Sequence, residues 1–295
     1  MKKNSFYTLL IVALATLASC TKDKVDEPLS EFITINDASF EQQLIDKGID
    51  SDGLINMRVL RTDVSTIERL DIGGGTISDL TGIEGFVNLK RLHAASNDLE
   101  AVDLSKNTLI DTLDLAGNIL KTIDVSKNVN LKYVTLYGNK LTNISGFTGA
   151  TNLNYLSLSF NYLTSFNLEN PSLETLLIDN NDIVDFDTTN GINLKYLVLY
   201  TNKVKSIDLS NSLKLNVIRI NDNKISNLIL GQKDDLTYLS CSANFISNLD
   251  ISSYANLSYL YAHTNPNLKC IKIADGQIVP TQDLSDYQQL NENCN

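Results

Sequence analysis

The sequence predicts a solenoid of about ten stacked units, each placing one strand in a concave parallel β-sheet. Three observations carry this. The pattern Leu-x-x-Leu-x-Leu-x-x-Asn-x-Leu recurs along residues 67–270 of the 295-residue chain. Its spacing stays between 20 and 22 residues. The second half of each unit is too short for a regular helix.

The repeat is plainest in Leu131-Lys132-Tyr133-Val134-Thr135-Leu136-Tyr137-Gly138-Asn139-Lys140-Leu141 and in Leu194-Lys195-Tyr196-Leu197-Val198-Leu199-Tyr200-Thr201-Asn202-Lys203-Val204. The first apolar position falls at Ile67, Leu89, Ile110, Leu131, Leu153, Leu173, Leu194, Leu215, Leu236 and Leu257. The Asn position holds Asn97, Asn118, Asn139, Asn161, Asn181, Asn202, Asn223, Asn244 and Asn265, and Gly75 stands there in the first unit. The Leu-x-Leu pair alternates with the period of a strand. A lone strand cannot bury its apolar side, so units stack and share one core. The Asn amide sits where the chain leaves the strand and can satisfy backbone groups that the turn leaves unpaired. Segments such as Val102-Asp103-Leu104-Ser105, Ile123-Asp124-Val125-Ser126 and Ile207-Asp208-Leu209-Ser210 predict an extended, mostly non-helical convex side.

These residues resemble the leucine-rich repeat, the α/β horseshoe class of solenoid. The resemblance implies a recognition scaffold. The stretch Leu80-Thr81-Gly82-Ile83-Glu84 and the segment from Asn265-Pro266-Asn267-Leu268-Lys269-Cys270 also look like parts of secreted Bacteroidetes repeat proteins.

The ends follow from the need to cover exposed core. Residues 32–66 are expected to form a small helical N-terminal cap, opened by Asn36 or Asp37, with Phe40, Leu44 and Ile45 on its apolar face and Gly48 at its close. Residues 271–295 form the C-terminal cap. Cys241 stands at a strand position where other units have Leu and reads as a small buried hydrophobe. Cys270 and Cys294 flank the terminal cap and are expected to form a disulfide, with a Cys241–Cys270 pair between adjacent units as the alternative.

Residues 1–19 read as an address. Lys2 and Lys3 precede an apolar run from Phe6 to Ala18, which is too short to span a bilayer of about 20 helical residues. Leu17-Ala18-Ser19-Cys20 resembles the bacterial lipobox, which implies acylation of Cys20 as the mature N-terminus. Residues 20–31 are charged and poor in apolar side chains, a flexible tether. They resemble the charged stretch behind the lipid Cys of Bacteroidetes surface lipoproteins. That implies an outer-membrane location, lipid-anchored and exposed at the cell surface.

Composition narrows the function. The chain has 24 Lys+Arg against 35 Asp+Glu, a net charge of −11, which argues against nucleic acid as a partner. There are two His, and His93 and His263 fall at outward strand positions in units two and ten. Eight strand spacings place them roughly 40 Å apart, too far to share a metal or a catalytic centre. No catalytic motif is present, Gly73-Gly74-Gly75 reads as a turn at a strand exit, and Asp50-Ser51-Asp52-Gly53 reads as an acidic cap turn without the carboxylates of a calcium loop. Neither an enzyme nor a cofactor is expected.

What remains is a surface. Tyr133, Tyr155, Tyr196, Tyr238 and Tyr259 precede the second Leu of their units. Tyr137 and Tyr200 lie four residues further on, and Tyr261 lies between the inward positions of unit ten. Eight of the twelve tyrosines are thus expected on the concave strands. Tyrosine gives a large rigid contact with a polar tip. The face suits a protein, peptide or glycan ligand. The same rings would serve docking of an accessory subunit onto an outer-membrane nutrient-transporter complex. Arg69, Lys90, Arg91 and His93, beside Glu68, Asp71, Asp111 and Asp114, form a mixed charged area. Arg219 and Asp222 form another. Both read first as solvated faces.

Overall fold

A computed structural model describes residues 30–294. The principal element is an eleven-stranded parallel sheet in which each strand pairs with the strand of the next turn. It runs from Arg69–Asp71 through Arg91–His93, Thr112–Asp114 and Tyr133–Thr135 to Tyr259–Tyr261 and Thr281–Asp283. Equivalent residues stand in register, as in Tyr133↔Tyr155 and Tyr238↔Tyr259. The central residue of each of the first ten strands, from Leu70 and Leu92 to Leu239 and Leu260, is buried. Its two neighbours point away from the core. The alternation expected from Leu-x-Leu is therefore what separates core from inner face.

The eleventh strand lies in the segment expected as cap. Thr281, Gln282 and Asp283 are all exposed, so the sheet continues for one more strand while the apolar core stops. Disulfide-bonded Cys270 and Cys294 close this end, their Cα atoms 5.6 Å apart. Cys241 is free and fully buried, and burial pushes its thiol up to about 12. The alternative Cys241–Cys270 pairing does not occur.

The other end is closed by the helix Ala38–Asp46, whose N-cap is Asp37. The Asp37 carboxylate accepts from the Ser39 and Phe40 backbone N–H groups and reaches across to Ser78 and Asp79. One capping side chain thus holds helix and first repeat together. Phe40 and Leu44 are buried and Ile45 partly so. Gly48 follows at φ 66°, a conformation that favours glycine. Buried Glu41 accepts from three backbone N–H groups, of Asn56, Met57 and Arg58. Asp52 accepts from Leu54 N–H and the Asn56 amide, whereas Asp50 is buried with one carboxylate oxygen unpartnered, and burial and the neighbouring Asp52 carboxylate raise its pKa.

The inner-turn asparagines act as expected. The Asn202 amide donates to the carbonyls of Ile178 and Leu199 and accepts from Ile183 N–H. The Ile178 carbonyl also receives the Asn181 amide, so each asparagine shares an acceptor with the one before it. Nine such residues, Asn97 to Asn265, join each of turns two to ten to the one before, and the Gln288 amide, donating to the Ala262 carbonyl, joins the eleventh.

A second ladder runs along the convex side. Asn107, Asn128 and Asn170 each donate to two carbonyls of the core wall. Lys233 and Gln277 take the same place in later turns. The convex strands pair in short sets, such as Thr122–Asp124 with Asn143–Ser145 and Ser165–Asn167 with Asp185–Asp187. Pairing lapses between Asn143–Ser145 and Ser165–Asn167, which are separated by a turn one residue longer than most. A cavity of about 230 Å³ opens there over Leu153, Leu156, Leu163, Phe166 and Leu173.

Candidate functional site

Each strand of the long sheet presents its first and third residues on the inner face. The first-position column reads Arg69, Arg91, Thr112, Tyr133, Tyr155, Thr175, Tyr196, Val217, Tyr238, Tyr259 and Thr281. Tyr261 holds the third position of its strand, beside Ser240. Six of the eight expected tyrosines thus lie on strands. Tyr137 and Tyr200 lie two residues beyond strand ends, at the exit turn, because the strands are three residues long. His263 is likewise past its strand and not on it. His93 ends the strand Arg91–His93.

The rings form two groups. Tyr133 and Tyr155 stack, centroids 4.2 Å apart and planes 6° from parallel. Tyr137 tilts against Phe160 at 5.2 Å, beyond the same strands. Further along, Tyr238 packs against Tyr259 at 5.7 Å and Tyr261 at 5.5 Å. The Arg219 guanidinium lies 5.6 Å from the Tyr200 ring centroid and 5.8 Å from that of Tyr238, within reach of the ring quadrupoles. Thr175 and Leu177 separate the groups, and Tyr196 stands between them.

Much ring surface stays open to solvent. Tyr133, Tyr137, Tyr196 and Tyr259 are each 43–46 % exposed. Tyr155 and Tyr200 are more covered. Burial, then the adjacent Tyr133 hydroxyl, pushes the Tyr155 hydroxyl up to about 12. Burial and the Asp179 carboxylate raise that of Tyr200. Tyr162 and Phe245 are also exposed, but outside the inner strands.

The first three turns are different in kind. His93 Nδ1 lies 2.8 Å from Asp114, and its Nε2 lies 3.8 Å from Asp71. Lys90 pairs with Glu68 and Lys132 with Asp111. These exposed charges satisfy one another across neighbouring turns, each pair worth at most about 1 kcal/mol. Gly73 packs under the His93 ring, where an added Cβ would lie 2.6 Å from Nε2, and Gly74 has φ 74°. The glycine run is a turn that admits the histidine. Among the described residues no cluster of His, Cys, Asp and Glu could hold a metal ion.

Arg219 and Asp222, expected together as a solvated mixture, do not pair. In the structure the Asp222 carboxylate accepts from the Asn221 amide, and the guanidinium turns to the tyrosines. Repeat spacing alone places Arg219 in register between Val198 and Ser240, one strand from Tyr238, but does not give the direction of its side chain. Cys20, the expected lipidation site, lies outside the described residues.

No protein-family model matches the chain. No curated protein sequence matches it either. Solved structures do. The functional domain of InlJ from Listeria monocytogenes, described as including a cysteine ladder, is similar at 26 % identity and TM-score 0.72, over 83 % of this chain. The chain spans 57 % of that domain. A leucine-rich-repeat protein of Leptospira interrogans aligns at 20 % identity and TM-score 0.55, over 78 % of this chain and 73 % of its own. The plant peptide hormone receptor RGFR1, solved in complex with RGF2, aligns at 19 % identity and TM-score 0.55, over 71 % of this chain and 39 % of its own. With eleven parallel turns, asparagine ladders and a disulfide-closed end, the chain folds as a leucine-rich-repeat solenoid.

Proposed function

We propose that this protein is a binding module that takes an extended polypeptide along the tyrosine-bearing part of its inner sheet, from Tyr133 to Tyr261. The observation that carries the reading is the uneven distribution of rings. In the first three turns Lys90 pairs with Glu68 and His93 with Asp114 and the inner face carries no tyrosine, whereas the later turns hold eight tyrosines on or beside the strands, four of them nearly half exposed. Six strand spacings of about 4.8 Å separate the first ring from the last, the length of roughly nine extended residues. A sugar chain would seek open ring faces. Here the Tyr133 and Tyr155 faces cover each other, and Tyr238 is engaged by two rings and a guanidinium. Where a ring face is covered by its neighbour, its edge and hydroxyl remain for a ligand, which favours amide and side-chain contacts. The receptor RGFR1, whose structure contains RGF2, has the same fold, and that adds support.

The lipobox-like Leu17-Ala18-Ser19-Cys20 supports acylation at Cys20 and placement on an outer membrane, facing outward. Residues 20–31 would then hold the solenoid clear of the lipid. Labelled palmitate should enter the wild-type protein and not a Cys20→Ala variant.

Replacing Tyr137, Tyr200 and Tyr261 together by Ala tests the binding face. Recovery of polypeptides from cell-surface extracts should fall at least tenfold with the fold retained by circular dichroism. Equal recovery would remove the reading. Co-purification of the native protein with one large membrane assembly would instead favour the accessory-subunit role.

A further inference from the structure

We infer that Arg219 is the specificity-determining anchor of this face, and that the segment it takes carries a carboxylate side chain flanked by apolar or aromatic residues. The inference rests on the polypeptide-binding reading and names its ligand more closely.

The argument begins with pairing. Lys90, Lys132, Lys195 and Lys203 each have a carboxylate within salt-bridge distance. Among the described residues Arg219 has none. The nearby acids are occupied elsewhere. Asp222 accepts from Asn221, and Asp179 accepts from Ser159 and Asn180. Arg219 is also the only arginine after residue 91. An unpaired, exposed guanidinium therefore stands in the middle of an aromatic group, in a chain of net charge −11.

Its geometry suits recognition. Tyr200 and Tyr238 flank the guanidinium at 5.6 and 5.8 Å, which restrains an otherwise mobile side chain before any ligand arrives. The planar fork can give a carboxylate two parallel N–H···O bonds, which a lysine could not match. Tyr261 and Tyr196, on strands to either side, offer apolar contact for the residues next to the acid. Val198 and Ser240 beside Arg219 are small enough to leave room above it. The overall charge of the protein repels acidic peptides. A preference for them can only be local, and Arg219 is the cation set between the rings.

The test uses a phage-displayed library of random linear peptides, with polygalacturonate as an acidic glycan probe. The wild-type protein should enrich peptides with one Asp or Glu beside aromatic or aliphatic residues. Arg219→Gln should still recover peptides, but without the acidic enrichment. A synthetic peptide from the wild-type pool should lose about tenfold in affinity on Arg219→Gln, and its Gln counterpart should lose little. An acidic pool unchanged by Arg219→Gln, or a wild-type pool without acidic residues, would overturn the inference and leave the binding face standing. Recovery of no peptide, or retention of polygalacturonate alone, would overturn both. Arg219 is exposed and outside the core, so the variant tests recognition and not folding.

Discussion

Tyr133 and Tyr155 are 22 residues apart in sequence, yet their rings lie 4.2 Å apart and nearly parallel. The contact exists because one solenoid turn brings the next strand into register beside the last. It ties the inner face to the stability of the stack.

Tyr133→Ala should therefore cost about 1 kcal/mol, the usual worth of an aromatic pair beyond its buried area. Chemical denaturation reads this. The same substitution should bring the Tyr155 hydroxyl down from about 12 toward 10, because it uncovers the ring and removes the neighbouring hydroxyl. The sign for stability is fixed by that shift. The unfolded chain ionises this tyrosine first, so stability is lost as pH rises from about 10 through 12. Ultraviolet titration of the variant checks the shift, and alkaline unfolding of the wild type checks the sign.

The inner asparagine ladder should be the costliest set of hydrogen bonds to break. Asn202→Ala leaves the Ile183 N–H buried without an acceptor and removes two donated bonds. A loss of about 3 kcal/mol is expected. Asn202→Asp should be no better, since a carboxylate cannot donate to the Ile178 and Leu199 carbonyls. The midpoint of urea unfolding decides it.

Lys233 carries a pH signature. Its ammonium is buried and donates to the carbonyls of Leu209 and Leu230, and burial lowers its pKa to about 8. The unfolded chain holds that proton more tightly, with a pKa near 10.5. The charged form is thus penalised in the fold, and this residue's contribution to stability should improve as pH rises from about 8 to 10.5. Lys233→Asn, which restores the side chain of other turns, should flatten that rise. Unfolding measured across this range would show it.

The convex aspartates predict the opposite end of the scale. Asp103 and Asp208 each accept from a serine two residues on, and Asp187 from Thr189. These bonds hold all three carboxyls below the usual range. Their support is complete above pH 4 and disappears as pH falls through the lowered values. A triple Asp→Asn variant should be less stable at neutral pH and show a shallower loss in acid, read by acid unfolding.

The disulfide is a local staple. Cys270 and Cys294 close a separation of 24 residues, worth roughly 3 kcal/mol on chain entropy. Reduction should raise amide exchange in residues 270–294 first, with the early turns unaffected.

Much of this architecture was legible because its determinants repeat. Leu-x-Leu and Asn return at nearly constant spacing, so burial and the inner ladder could be read from either. The convex ladder was missed because Asn107, Lys233 and Gln277 share a function and not an identity. The eleventh strand was missed because Thr281-Gln282-Asp283 has no apolar centre, which is what ending a core requires. The tyrosine column was visible as spacing. The turn of Arg219 away from Asp222 was not, since it depends on Asn221 satisfying that carboxylate first.

Tyrosine footprinting tests the central claim most directly. The protein is nitrated with and without a peptide recovered from the displayed library, and modified residues are read by mass spectrometry. Tyr133, Tyr137, Tyr196 and Tyr259 should be protected, while Tyr162 and Tyr287, exposed outside the tyrosine-bearing strands, react as before. Protection at Tyr162 or Tyr287 with the four inner tyrosines unchanged would contradict it.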